Sequence, residues 1–248
     1  MIAIKSEFKI LSGDARIYGE IYGEEHLPFL ILLHGNGEDL HYFDPQILYF
    51  QKKYRIVAID SRAHGKSSRG TEPLNFQTLT EDVLVVLNTL QISQAHIIGF
   101  SDGANLALHL AIKAPERILS LVLLGANYTP SGLQWKVWLQ VRFVYYRLSI
   151  AALFSKKMKQ KKEIWELMIY HPQLTLTEIA EIAAPTLIIT GEKDMVSQRE
   201  NDDIHQAIIG SERIIIPKAD HFLSSNRAEE FNRIVELFLD KNNACVSI

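Results

Sequence analysis

The sequence predicts a three-layer α/β domain, and three observations carry that prediction. Several short apolar runs are continuous rather than alternating. Amphipathic helical stripes lie between them. One long segment, from about residue 128 to 183, breaks the strand–helix alternation. Among the 248 residues, apolar types make up 47% and charged types 22%, enough to build a full core and too apolar for long disorder.

The chain opens with alternating residues, Ala15-Arg16-Ile17-Tyr18-Gly19-Glu20-Ile21-Tyr22. That period of two predicts antiparallel strands at the start. Then come continuous apolar runs at Phe29 to Leu33, Ile56 to Ile59, Ala95 to Phe100, Leu121 to Leu124, Thr186 to Thr190 and Arg213 to Ile216. Continuous runs fit strands covered on both faces, as in a parallel sheet. Leu79, Val83, Val86, Leu87 and Leu90 form one helical stripe, and Phe231, Ile234, Val235, Phe238 and Leu239 form another. Strand then helix, repeated, implies right-handed crossovers and helices on both faces of the sheet.

Residues 1–127 and 184–248 therefore read as the core, and residues 128–183 as an inserted helical cap. Within the insertion, Leu133 to Phe154 approaches bilayer-spanning length, but Lys136, Arg142 and Arg147 interrupt it. Interior cations are costly in lipid, so stable membrane insertion is excluded. Its apolar residues occupy two faces, which predicts a lid that packs on the core and lines a pocket. Trp135, Trp138, Tyr145 and Tyr146 are the candidate lining aromatics, with Phe143 and Trp165 adding further apolar surface. Five lysines between Lys156 and Lys162 read as a solvated face.

Charge and cysteine usage exclude several classes. Lys and Arg total 26 against 29 Asp and Glu, so the net charge of -3 argues against binding nucleic acid by phosphate neutralisation. The single cysteine, Cys245, rules out an internal disulfide or a cysteine-rich zinc site. Met1 to Leu11 has no signal-peptide core, so a cytoplasmic location is expected. No histidine spacing suits a metal, and no phosphate loop or dinucleotide fingerprint is present. No cofactor is expected.

The chemistry concentrates in Gly99-Phe100-Ser101-Asp102-Gly103, between a buried strand and a helix with Ala104, Ala107, Leu108 and Ala111 on one stripe. This is G-x-S-x-G in its strand–turn–helix setting, where small flanking residues leave a serine exposed on a sharp turn. A serine hydroxyl needs a base, and the base needs an orienting acid. Asp194 follows the strand Thr186 to Thr190, and His221 follows the last strand, so both reach the carboxyl edge that carries Ser101. Glu192 and Asp220 are rival acids, although Asp220 adjoins His221, and adjacent side chains diverge. Asn127, in Gly125-Ala126-Asn127 after another strand, lacks the charge to stabilise an imidazolium. The glycine-rich loop Leu33-His34-Gly35-Asn36-Gly37 supplies the backbone N–H of Asn36 which, with that of Asp102, would hold a developing oxyanion. His34, His96 and His109 read as structural.

Together these residues resemble the α/β-hydrolase superfamily over nearly the whole chain. The matching motifs are His34 to Gly37, Asp60-Ser61-Arg62-Ala63-His64-Gly65-Lys66-Ser67, Gly99 to Gly103, Asp194 and His221. The resemblance implies a mostly parallel eight-stranded sheet with a cap inserted after the sixth strand. The family segment matching Asp60 to Ser67 reads D-x-R-G-x-G-x-S, so Ala63 stands where a glycine is usual, which would stiffen or shift the loop. Asp60, Arg62 and His64 read as structural. Serine followed by aspartate at the turn is similar to valacyclovir-hydrolase-like members. A serine nucleophile separates the chain from haloalkane dehalogenases and epoxide hydrolases, which use aspartate.

The expected activity is hydrolysis of a small-molecule carboxylic ester with apolar acyl or alcohol groups, through Ser101, His221 and Asp194. The same triad can serve thioesters, amides, lactones or carbon–carbon bonds. A pocket that binds a small ligand without turnover is the remaining alternative.

Overall fold

The computed structural model describes residues 6–243. Cys245 lies outside them. The chain runs β1 (Ser6–Ser12), β2 (Ala15–Tyr22), β3 (Phe29–Leu33), α1 (Asp44–Phe50), β4 (Arg55–Ile59), α2 (Phe76–Thr89), β5 (Ala95–Phe100), α3 (Asp102–Lys113) and β6 (Ile118–Leu124). It continues through α4 (Trp135–Ala151), α5 (Lys156–Tyr170), α6 (Leu176–Ile179), β7 (Thr186–Lys193), α7 (Gln198–Ala207), β8 (Glu212–Asp220), α8 (Leu223–Asn226) and α9 (Ala228–Asn243). The eight strands form one sheet in the order β1-β2-β4-β3-β5-β6-β7-β8. β2 pairs antiparallel with β1 and β4, and every later pairing is parallel. The α/β-hydrolase architecture expected from the motifs is the one observed.

Alternate residues of each inner strand enter opposite layers, as the period of two requires. Ile31 and Leu33 of β3 join a buried cluster with α2 and α3, while Leu30 and Leu32 join Phe43, Ile47, Phe231 and Val235 on the other side. Both faces are covered, which is why these runs carry no polar alternation. β2 differs from a half-wet strand. Its Glu20 is buried, and the hydroxyls of Tyr18 (2.6 Å) and Tyr22 donate to it, so the charge has partners in place of water. α2 begins where Asn75 Oδ1 accepts from Thr78 N at 2.9 Å, satisfying one of the helix's free donors.

The Asp60–Ser67 loop is held by its own polar groups. Asp60 accepts from Leu40 N at 2.8 Å and Lys66 N at 2.7 Å, and buried Arg62 forms a bidentate pair with Asp82 at 2.8 and 2.7 Å. A Cβ on Gly65 would fall 2.1 Å from Asp60 Oδ2, so no larger residue fits there. Ala63 adopts φ 67°, a left-handed conformation that is unfavourable for any residue but glycine. The loop is pinned by these bonds and carries strain at Ala63.

Between β6 and β7, α4 and α5 pack on each other. Tyr145 Oη donates to Glu166 Oε1 at 3.0 Å, and Arg69 pairs with Glu163 at 2.8 Å to tie α5 to the core. The end of this insertion behaves differently. Leu174, Ile179 and Ile182 sit in the buried cluster shared with α2 and α3, so the expected cap, residues 128–183, includes a stretch that packs as core. No helix among the described residues is long and apolar enough to cross a membrane.

Candidate active site

Ser101 stands at the junction of β5 and α3 with φ 53° and ψ −118°. Two glycines make this possible. A Cβ on Gly99 would lie 2.3 Å from Gly103 O, and one on Gly103 would lie 1.9 Å from Leu33 O. Strand and helix backbones therefore approach too closely for any side chain at either position. Ser101 N donates to Leu124 O at 2.8 Å, and its carbonyl accepts from Ala104 N and Asn105 N, locking the turn from both sides.

The turns after β7 and β8 bring Asp194 and His221 together. Asp194 Oδ1 and His221 Nδ1 are 2.7 Å apart, with the carboxylate fully buried and the imidazole 4% exposed. Asp194 Oδ1 also accepts from Val196 N at 2.9 Å, and its carbonyl accepts from the side chain of Gln134. The rival acids are engaged elsewhere. Glu192 accepts from Lys218 N at 2.7 Å, while Asp220 accepts from Phe222 N and the Asn226 amide. Asn127 exchanges two hydrogen bonds with Asn105, at 2.9 and 3.0 Å. Gly125, at φ 62°, lies against the imidazole, since a Cβ there would be 2.7 Å from His221 Cε1.

Ser101 and His221 open into one cleft of about 370 Å³, also lined by Asn36, Gly37, Glu38, Phe100, Trp165, Met168, Met195 and Phe222. The Asn36 side chain joins three parts of the site. Its Nδ2 donates to Asp102 Oδ2 at 2.8 Å and to the Ile164 carbonyl of α5 at 2.9 Å. This brings the loop after β3 to the start of α3, where the leading N–H groups lack an intrahelical acceptor. Burial pushes the Asp102 carboxyl up to about 6, against the opposing influence of the Asn36 hydrogen bond and the nearby His221. His34 supports the loop from below. Ser61 N donates to its Nε2 at 3.0 Å, so the proton resides on Nδ1, which reaches Gly35 O at 2.8 Å. Burial lowers its imidazole to about 4, leaving it a neutral structural group at physiological pH.

Two features depart from expectation. Trp135 and Tyr146 project from the outer face of α4, 68% and 65% exposed, while Trp138 lies beneath Arg142 and Tyr145 bonds to Glu166. None of these four lines the cleft. The α4 face that turns inward carries Val137, Val141 and Val144, which with Gln140 and Phe143 border a second cavity of about 410 Å³ that shares Trp165, Met168 and Met195 with the cleft at Ser101 and His221. Periodicity placed apolar residues on two faces without marking the inner one. Glu38 is the second feature. It lines the cleft, accepts weakly from Gly35 N at 3.3 Å, and has its carboxyl pushed up to about 7 by burial. Its place two residues past Asn36, in a loop already marked by its glycines, was the available signal.

Comparison with known proteins shows the family. The family model described as alpha/beta hydrolase fold matches residues 28–161. The mouse protein named serine hydrolase BPHL is 29% identical over 248 aligned residues, covering 93% of this chain and 85% of its own. The 3-oxoadipate enol-lactonase 2 of Acinetobacter baylyi is 26% identical, covering 94% of this chain and 97% of its own. The crystal structure of the enol-lactonase from Burkholderia xenovorans superposes with a TM-score of 0.78 at 24% identity, covering 92% and 98% of the two chains, a likeness of fold.

Proposed function

We propose, from the premise that this chain belongs to the α/β-hydrolase family, that it is a serine hydrolase cleaving carboxylic esters with small to medium apolar acyl or alcohol groups. The observation that carries the reading is the 2.7 Å Asp194–His221 bond, set in the same cleft as a serine held at an unfavourable φ.

The chemistry follows from those positions. Ser101 Oγ attacks the ester carbonyl while His221 Nε2 takes its proton. Asp194, bonded at Nδ1, fixes the tautomer that leaves Nε2 free to accept, and it stabilises the imidazolium that forms. Negative charge grows on the carbonyl oxygen, and the N–H groups of Asn36 and Asp102 are the donors that would receive it. A lost donor of this kind raises a barrier by ~2.7–4 kcal/mol. Collapse expels the alcohol, protonated by His221, and leaves an acyl-enzyme. Water deprotonated by the same imidazole then releases the acid and restores Ser101.

Trp165, Met168, Met195, Phe100 and Phe222 give the cleft its apolar walls, which supports apolar groups on the substrate. Lactones form a second reading, because relatives carry that name and a lactone is an ester whose leaving group stays tethered. The test is labelling by a fluorophosphonate probe with intact-mass detection, followed by kcat/KM on matched ester, lactone, thioester and amide series. Stoichiometric labelling that disappears in Ser101→Ala is expected, with esters turned over fastest. Wild-type turnover by that variant, or a folded protein that never labels, would overturn the assignment, and tight ligand binding without turnover would make this a binding pocket.

A further inference from the structure

Among the described residues, nothing covers the outer face of α4. Trp135, Leu139, Phe143, Tyr146 and Ile150 are between 48% and 68% exposed, and Leu153 and Phe154, just past the helix, are 78% and 85% exposed. At about 100° per residue the five side chains on the helix fall within an arc of about 80°, most of the width of an apolar stripe, and Leu153 and Phe154 follow in the turn after it. A soluble surface rarely shows so many large apolar groups side by side without a use for them.

The charges around the stripe are all of one sign. Residues 135–162 contain eight Lys and Arg and no Asp or Glu, although the whole chain totals -3, so the remainder carries −11. Arg142 borders the stripe on one side, and Lys136 and Arg147 on the other. Each of these three cations lies over a ring of its own helix, at 4.7, 5.6 and 5.9 Å from Trp138, Trp135 and Phe143 respectively. Lys156, Lys157, Lys159 and Lys161 then follow at the start of α5, all exposed. Lys156, Lys157 and Lys159 fall in its first turn, the wrong end for helix stability, because the positive pole of a helix repels cations there. No carboxylate stands in that turn to offset them. Local energetics therefore do not account for the cluster, whereas an anionic surface facing it would.

We infer that the outer face of α4, with the lysines that open α5, docks on an anionic phospholipid surface. The aromatic and aliphatic side chains would enter the interfacial layer, and the flanking cations would meet lipid phosphates with their stems laid along the apolar stripe. The helix would lie in the plane of the interface, in keeping with cations that forbid spanning. A second copy of the chain fits less well, since a two-fold contact sets the same patch against itself and would bring the two basic clusters together. The inference is independent of the reaction assigned to Ser101.

The test is co-sedimentation of the full chain with vesicles of phosphatidylcholine alone and of phosphatidylcholine mixed equally with phosphatidylglycerol, at low and high salt. Binding to the mixed vesicles is expected, weakened by salt and absent on phosphatidylcholine, with a blue shift in tryptophan emission that Trp135→Phe reduces. Replacing Lys156, Lys157, Lys159 and Lys161 with Gln should weaken binding at least tenfold. Leu139→Gln combined with Leu153→Gln and Phe154→Gln should do the same; Phe143 is left intact because it borders the inner cavity. Circular dichroism on each variant separates loss of binding from loss of fold. Failure to bind mixed vesicles at low salt would refute the proposal, as would binding that both sets of variants retain. Self-association abolished by the Leu and Phe changes, with no vesicle binding in the parent, would assign the face to a second copy instead.

Discussion

Replacing Glu38 with glutamine removes one titration from the wall of the cleft and changes little else. Glu38 is half-buried, and an amide oxygen in the place of Oε2 can still accept from Gly35 N. Burial raises the carboxyl from its ordinary 4.5 to about 7. A carboxyl whose folded value is raised binds protons on folding between those two values. Its contribution therefore lowers stability as pH climbs from 4.5 through about 7, and the full penalty is present above that. A displacement of this size corresponds to about 3 kcal/mol for a fully shielded group. Partial exposure lets water screen the charge, which reduces the expected penalty to about 1–2 kcal/mol. The stability difference between Glu38→Gln and the parent should thus be near zero at about pH 4.5 and grow to about 1–2 kcal/mol in the variant's favour by about pH 8. Urea unfolding midpoints and slopes, measured across that range, report it directly. Parallel pH profiles would refute the reasoning, and so would a difference that shrinks with rising pH.

Three further outcomes follow from the geometry. Asp194→Asn should lower kcat about 10⁴-fold by favouring the wrong imidazole tautomer, whereas Glu192→Gln should change it less than about threefold, and steady-state kinetics on one ester would separate them. Ala63→Gly relieves a left-handed alanine at a cost of about 1 kcal/mol, partly offset by the freer unfolded chain, so Tm in a calorimetric scan should rise by about 1–3 °C. Gly125→Ala places a methyl 2.7 Å from His221 Cε1 and should displace the ring from Asp194, cutting kcat by at least about 100-fold while circular dichroism remains native.

The parts of this molecule that were legible in the sequence are those where one residue type has little alternative. Gly99 and Gly103 announce the serine turn because backbone atoms fill the space a side chain would need. Phe29–Leu33 and Ala95–Phe100 read as buried strands because both faces of the sheet are covered there. Asp194 and His221 followed from their positions after β7 and β8, and neighbouring Glu192 and Asp220 turned out to serve backbone N–H groups. Orientation was harder to read. α4 is apolar on two faces, so the pattern could not tell that Val141 faces inward while Trp135 and Tyr146 face out. Glu20 and Glu38 look like surface carboxylates in one dimension. Only the tyrosines around the first and the walls of the cleft around the second give them their character.

The Asn36 amide limits how this site can be interrogated by mutation. The group proposed to bind the oxyanion there belongs to the backbone, which no substitution deletes except by imposing proline geometry. The side chain meanwhile bridges Asp102 and the Ile164 carbonyl. Truncating it to alanine would leave the N–H in place while freeing the Asp102 carboxylate and detaching α5 from the loop. A slower Asn36→Ala enzyme would therefore measure how tightly the loop, α3 and α5 are registered to one another, and it would be silent on the proposed oxyanion donor itself. An amide-to-ester replacement of that single peptide link, which removes the N–H and spares the side chain, is the experiment whose result could be read as donation.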